Sequence, residues 1–227
     1  MRIKHHGVFQ SGMKILNWEN LRNSEMDKPY FLPYNKEDYL FKVQVNEPSN
    51  LTKRIIKELE NASLKKIFSI GSGIAFLEYQ IKKFSNLNVV VSDYNSSVLR
   101  LKQFEVFDDA LLLNALQDPL PVNESCAVLF PRIDTEFDDD QLRELFSKCF
   151  SSGIKQIYFI PGELLSLRII MAELKAVLIS IIKRKPLVFC GHARSMSSFK
   201  KIWTPYYQLT KKYSKDKQMY FLLSKLT

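Results

Sequence analysis

The chain has 227 residues, 46% of them hydrophobic and 25% charged, with a formal net charge of +9. These proportions exclude a disordered or collagen-like chain, and this length can bury a core without disulfides or a structural metal. Cys126, Cys149 and Cys190 are well separated and His5, His6 and His192 are the only histidines, so neither a disulfide framework nor a metal site is expected.

The positive charge has a location. Residues 183–227 hold eleven Lys or Arg against a single acidic residue, Asp216, while residues 1–182 are nearly balanced. Such a segment draws in phosphates, anionic lipids or acidic small molecules, or keeps the chain in solution. Residues 1–17 are polar and hold no apolar leader stretch, which points to a cytoplasmic protein. The apolar run 164–182 is broken by Arg168, Glu173 and Lys175, so it reads as a buried or interface helix rather than a membrane span.

Residues 1–47 show no sustained period and read as an N-terminal cap or arm, with Tyr30 and Tyr34 as candidates to close over a substrate. From 48 to 227 a single α/β domain is expected. Leu51, Ile55, Ile56 and Leu59 predict a helix over 50–61 capped by Ser49 or Asn50. A buried strand follows at 66–70, then a helix carrying Leu77, Ile81 and Phe84 inward. A second strand at 88–92 ends at Asp93, and a helix over 96–104 carries Val98, Leu101 and Phe104. Strands at 110–113, 126–130 and 154–160 alternate with helices over 138–150 and 163–183, the former opening on three aspartates that suit a helix N-terminus. Continuous apolar strands separated by helices predict a parallel sheet covered on both faces. A short helix at 195–203 and strands at 206–213 and 218–224 then predict a closing antiparallel hairpin.

The sharpest local pattern is Ile67-Phe68-Ser69-Ile70-Gly71-Ser72-Gly73-Ile74-Ala75. Glycines between a strand end and a helix let the backbone approach a ligand closely. Phe76 stands where a dinucleotide fingerprint wants a third glycine, and no Gly-Lys-Ser/Thr phosphate loop is present. Asp93 comes 20 residues after Gly73, where a carboxylate can accept both hydroxyls of a ribose, or cap the next helix.

On these residues the chain resembles the class I S-adenosylmethionine-dependent methyltransferases. Residues 67–75 match the family's glycine-rich motif, and Val91-Ser92-Asp93-Tyr94-Asn95-Ser96 its acidic second-strand motif. Leu113-Asn114-Ala115-Leu116 falls where adenine is contacted, and Leu120-Pro121-Val122-Asn123-Glu124-Ser125 leads into the fourth strand. The resemblance implies a Rossmann-like, seven-stranded, mostly parallel sheet of order 3-2-1-4-5-7-6, helices on both faces and S-adenosylmethionine as cofactor. By the same resemblance the cofactor contacts fall on Ser69, Gly71, Ser72, Gly73, Asp93, Tyr94, Asn114, Ala115, Leu116 and Phe130. Ser69 stands where that family usually carries an acidic residue.

For the reaction itself, His192 and Asp134 are candidate bases, and Tyr30, Tyr34, Glu136 and Arg194 candidate substrate contacts. Methyl transfer to a small-molecule acceptor is the leading reading. An RNA or DNA methyltransferase using the basic C-terminal segment with Trp203, Tyr206, Tyr207 and Tyr213 is one alternative. A non-catalytic partner subunit is the other, motivated by Ser69 and by the 164–182 helix as a homo-oligomer interface.

Overall fold

Strand β2 (Lys66–Ile70) is apolar on both sides, and the fold is built around it. In chain order, β1 (Arg2–Gly7), α1 (Lys36–Val43) and α2 (Asn50–Asn61) precede it. After it come α3 (Phe76–Phe84), β3 (Asn88–Asp93), α4 (Val98–Phe104), β4 (Asp109–Leu112), β5 (Cys126–Pro131), α5 (Asp139–Ser151) and β6 (Gln156–Ile160). The chain ends with α6 (Leu167–Lys183), β7 (Val188–Arg194), α7 (Met196–Trp203), β8 (Tyr207–Lys215) and β9 (Gln218–Lys225). This computed structural model describes residues 1–7, 30–162, 164–215 and 218–226. The expected helix start at Glu163 and the hairpin tip at 216–217 lie outside them.

The main sheet runs β4-β3-β2-β5-β6-β9-β8. Numbering its seven strands along the chain gives 3-2-1-4-5-7-6, the order the resemblance implied. β2 pairs in parallel with β3 and β5, and β9 lies antiparallel to both β6 and β8. Strand parity sorts the core into two layers. Val91, Leu129 and Tyr158 pack on one face with Ile55, Leu59, Ile81 and Leu101. Phe68, Val128, Phe130 and Phe159 pack on the other with Leu142, Phe146, Phe199 and Trp203. Local signals agree with these boundaries. Ser49 caps α2 by accepting from the Thr52 N–H, and Asp138 with Gln141 forms a capping box on α5.

The N-terminal residues depart from the expected aperiodic arm in two places. Residues 36–43 form α1, with Leu32, Tyr39 and Val43 fully buried beside α2, α3 and α4. Residues 2–7 form β1, which pairs antiparallel with β7 in a second, two-stranded sheet. Strand β7 was not expected either, although Leu187-Val188-Phe189-Cys190 is an apolar run. Gly191 at φ +131° lets β7 lie against the turn after β5, since a Cβ there would sit 2.8 Å from the Thr135 carbonyl oxygen.

Helix α6 buries only Ile169, and Leu167, Met171, Leu174, Leu178, Ile181 and Ile182 are exposed. Glu173 ties it to β1, accepting from the His6 backbone N–H at 2.8 Å and lying 2.6 Å from His6 Nδ1. Among the described residues, no helix is long and apolar enough to cross a membrane.

Candidate functional site

The strand order reverses its direction of growth between β2 and β5. In an open α/β sheet, the loops leaving such a pair of strands diverge, and a crevice opens at their carboxyl ends. Three segments with polar residues meet there: the 71–73 loop after β2, the end of β3, and the turn after β5.

The loop after β2 turns sharply. Gly71 and Gly73 take φ of +73° and +62°, and Ala75 follows at +56°. The Gly71 and Ser72 N–H groups both donate to the Ser92 carbonyl at 2.9 Å, which ties the loop to β3. A Cβ on Gly71 would lie 2.5 Å from Ile133 Cγ2, so the loop presses directly on the turn after β5.

Asp93 is 2% exposed, and its carboxylate clasps two loops at once. Oδ2 accepts from the Gly73 N–H and Oδ1 from the Asn95 N–H, each at 2.9 Å. Beside it, Ser72 Oγ, Asn95 Nδ2 and Ser97 Oγ are buried without hydrogen-bond partners. Buried polar atoms normally find partners, so this set fits a polar ligand at the strand ends. Tyr94 is exposed at the same edge.

The loop after β4 is a tight turn. Asn114 Oδ1 accepts from the Leu116 N–H at 3.2 Å, and its own N–H donates to Asp118 at 2.7 Å. Ala115 is buried and Leu116 half-buried. Lys148 on α5 grips this turn, donating to the Ala115 and Asp118 carbonyls at 3.1 and 3.2 Å and also to that of Leu116. Sequence reading missed Lys148, because a lysine near a helix end looks like a solvated charge.

Phe130 belongs to a different place. Its parity on β5 turns it into the aromatic core, with ring centroids 5.4 Å from Phe146 and 6.4 Å from Phe159. It has no exposed surface and is a core residue, a correction to the cofactor contact expected there.

Ser69 also has a partner that the sequence did not reveal. It is fully buried on β2 and donates to Glu78 Oε1 at 2.5 Å. Glu78, on α3, is itself 1% exposed, and burial raises its carboxyl pKa to about 7. Ser69 is where the resemblance led one to expect an acid, and its hydroxyl meets a buried acid on the neighbouring helix. A glutamate one position after the apolar Leu77 in the first turn of α3 was the available signal, and it is weak.

On the β5 side, Asp134 is fully buried in a short 3₁₀ turn (Ile133–Thr135). Oδ1 accepts from the Gly162 N–H at 2.8 Å, Oδ2 has no partner, and burial raises the pKa to about 6. His192 lies on β7, edge-on to Phe189, with Nδ1 unpartnered. Burial, together with the Arg194 and Arg2 charges, lowers its pKa. It is therefore neutral at pH 7, and a neutral imidazole can accept a proton. Glu136 is exposed on the same turn.

Arg194 is not available to a substrate. It is fully buried, with Nε donating to Asp139 Oδ1 at 2.8 Å and its terminal nitrogens to the Phe137 and Asp134 carbonyls. Its guanidinium instead fixes β7 to the turn after β5, with Arg2 joining at 3.1 Å from Asp139. Tyr34 is exposed, stacked under the Arg100 guanidinium at 4.5 Å, and Tyr30 is half-buried. Their segment reaches the site through Tyr39, whose hydroxyl donates to the Ile74 carbonyl at 3.2 Å. An open groove of 510 Å³ lined by Leu120, Arg143, Lys148 and Tyr206 runs along α5, away from the 71–73 loop. Among the described residues, no cluster of His, Cys, Asp and Glu could hold a metal ion.

This sheet order, glycine loop and strand-end carboxylate are together the fold of the class I S-adenosylmethionine-dependent methyltransferases. No family model matches the chain, and no curated protein matches it. Solved structures do. Human N-acetylserotonin methyltransferase, solved with SAM, is 15% identical, covering 94% of this chain and 64% of its own at a TM-score of 0.57. Mitomycin 7-O-methyltransferase is 11% identical, covering 77% of this chain and 53% of its own at 0.58. The PH0226 protein of Pyrococcus horikoshii is 12% identical, covering 86% of this chain and 100% of its own at 0.52. The chain thus spans 53% to 64% of the length of the two methyltransferases.

Proposed function

We propose that this chain binds S-adenosylmethionine at the carboxyl ends of β2 and β3 and transfers its methyl group to a small-molecule acceptor. The observation that carries the reading is Asp93. Its carboxylate is held by the Gly73 and Asn95 N–H groups beside the point where the strand order reverses. Asp93 would hold the ribose hydroxyls, the 71–73 loop and Ser72 Oγ would border the amino-acid end, and the turn at 114–116 would flank the adenine. The bound cofactor would supply an activated methyl group on a sulfonium. What remains for the protein is alignment of the acceptor and exclusion of water. His192, neutral on β7, would be the group to accept a proton from a hydroxyl acceptor.

The nucleic-acid alternative has less to support it, with Tyr206 alone of its four aromatics half-buried at the α5 groove. Trp203, Tyr207 and Tyr213 are buried in the core and cannot stack on bases. Lys211 pairs with Glu58, and Lys225 donates to the Phe150 carbonyl at 2.9 Å.

Calorimetric titration with S-adenosylmethionine and S-adenosylhomocysteine tests the proposal. Saturable binding in the full chain is expected, lost in Asp93→Ala with its circular dichroism retained. A folded wild-type protein that binds neither ligand would overturn it.

A further inference from the structure

Large hydrophobic residues left in water are scattered singly over most of this surface, which is ordinary, but α6 concentrates them. Of the thirteen that are exposed among the described residues, six lie on this one helix, and no other element exposes more than one. Five of the six, Leu167, Met171, Leu174, Leu178 and Ile181, are spaced four, three, four and three residues apart, and the sixth, Ile182, borders them. This is the 3.5-residue period of the a and d positions in a coiled coil, a narrower stripe than a helix uses to cover a core. In the same register Ile169, the buried residue of α6, takes position f, on the opposite side from the seam. The helix is thus fixed to the molecule by its back, and the seam points outward.

The six residues are each 53% to 78% exposed. Together they leave a stripe on the order of 500 Å² in water, the size at which an apolar patch marks an interaction site. Two such stripes face to face would bury on the order of 1,000 Å², the least that a specific interface needs.

The margins of the seam decide what covers it. Positions e hold Arg168, Lys175 and Ile182, and positions g hold Ile170 and Val177. A lipid surface is met by a helix with basic residues along its polar margins, whereas the g margin here is apolar, as in a seam that a second helix buries. Orientation follows from the same residues. In an antiparallel pair of copies e faces e, which would set Arg168 against Lys175 or Lys175 against itself. In a parallel pair g faces the following e, so Ile170 lies under the aliphatic stem of Lys175 and Val177 meets Ile182, with no like charges opposed. Glu173, at position c, stays out of the seam and keeps its hold on His6.

We propose that α6 is a self-association surface, through which two copies of this chain pair with their α6 helices parallel and seam to seam. The pairing braces β1 through Glu173, and through β1 its partner β7. It is independent of the cofactor site.

Sedimentation velocity of the full chain between about 1 and 100 μM tests this, since an interface of this size holds with about micromolar affinity or weaker. A concentration-dependent dimer is expected. Leu174→Glu combined with Leu178→Glu changes two exposed residues, so circular dichroism should be unaltered while the dimer weakens at least about a hundredfold. Leu174→Met, which keeps the apolar volume, should retain the dimer. Oxidative cross-linking reads the orientation in a Cys190→Ser background, because Cys126 and Cys149 are buried. Leu167→Cys should form a disulfide with its own copy, and a mixture with Leu178→Cys should cross-link each variant only to itself. Disulfides joining positions 167 and 178 would overturn the parallel arrangement. A monomer at every concentration, or a dimer that the double glutamate variant leaves intact, would overturn the self-association surface. So would a monomer that binds vesicles of phosphatidylserine and phosphatidylcholine and loses them in the double variant, which would give the seam to a lipid surface.

Discussion

Replacing Gly71 by alanine should be among the most damaging single-methyl changes in the chain. The residue has φ +73°, a conformation in which a Cβ costs about 1–2 kcal/mol. The added Cβ would also fall 2.5 Å from Ile133 Cγ2, and Ile133 is buried, so it cannot swing aside into solvent. Overpacking of this kind costs about 1–3 kcal/mol. The two terms have separate origins and together predict a loss of about 2–5 kcal/mol, or roughly 5–20 °C in Tm for a chain of this size. Urea unfolding of the wild type, Gly71→Ala, Ile133→Ala and the double variant separates them. Ile133→Ala removes the obstructing methyl at its own cavity cost of about 2–5 kcal/mol. The double variant should therefore be more stable than the sum of the singles by about 1–3 kcal/mol, with the backbone strain left uncorrected. A Gly71→Ala protein as stable as the wild type, or strictly additive variants, would refute the claim that the loop is wedged against the turn after β5.

Further outcomes follow from the same geometry. Asp134 titrates near 6 in the folded chain against 3.8 in the open one, so the folded state binds the extra proton between those values and loses stability as pH rises through them. Asp134→Asn keeps the acceptor for Gly162, and its advantage over the wild type in thermal unfolding should grow from pH 4 to 7 to roughly 3 kcal/mol; parallel curves would refute this. Arg194→Ala should cost about 1–3 kcal/mol in urea, since it leaves the Asp134 and Phe137 carbonyls without their donor and the partly exposed Asp139 without its partner. A loss under 1 kcal/mol would show that the guanidinium does not fix β7. At Asp139 burial raises the pKa, but the hydrogen bond and charge of Arg194, with Arg2, outweigh it and hold the carboxyl low. The stability this pair contributes is present above the usual carboxylate range and is lost on acidification. Lys148→Met should free the turn at 114–118, seen as faster amide exchange there and a several-fold weaker cofactor affinity; unchanged exchange would argue that the turn holds itself.

Much of the fold was legible because it is written locally. The central strands of the main sheet are largely apolar runs, and the helices between them carry their own period and caps, as at Ser49 and Asp138. The glycine loop and Asp93 were legible for the same reason: a strand end, a turn and a strand-end acid are short-range patterns. The sequence alone also carries the sign of each strand residue, inward or outward, but not which of the two layers it enters. That is why Phe130 reads as a cofactor contact until the sheet turns it toward Phe146 and Phe159.

Tertiary structure decided the rest, by bringing together residues that no window contains. Arg194 meets Asp139 across 55 positions and Met1 meets Ser195 across 194, so neither the pairing of β1 with β7 nor the closed fate of Arg194 has a local signature. Ser69 and Glu78 are only nine positions apart, yet they lie on a strand and on the helix after it, and only the packing of α3 on β2 brings the Ser69 hydroxyl to a buried acid. The residue type at position 69 suggested a missing charge; the fold sets a buried carboxyl beside it from the adjacent helix.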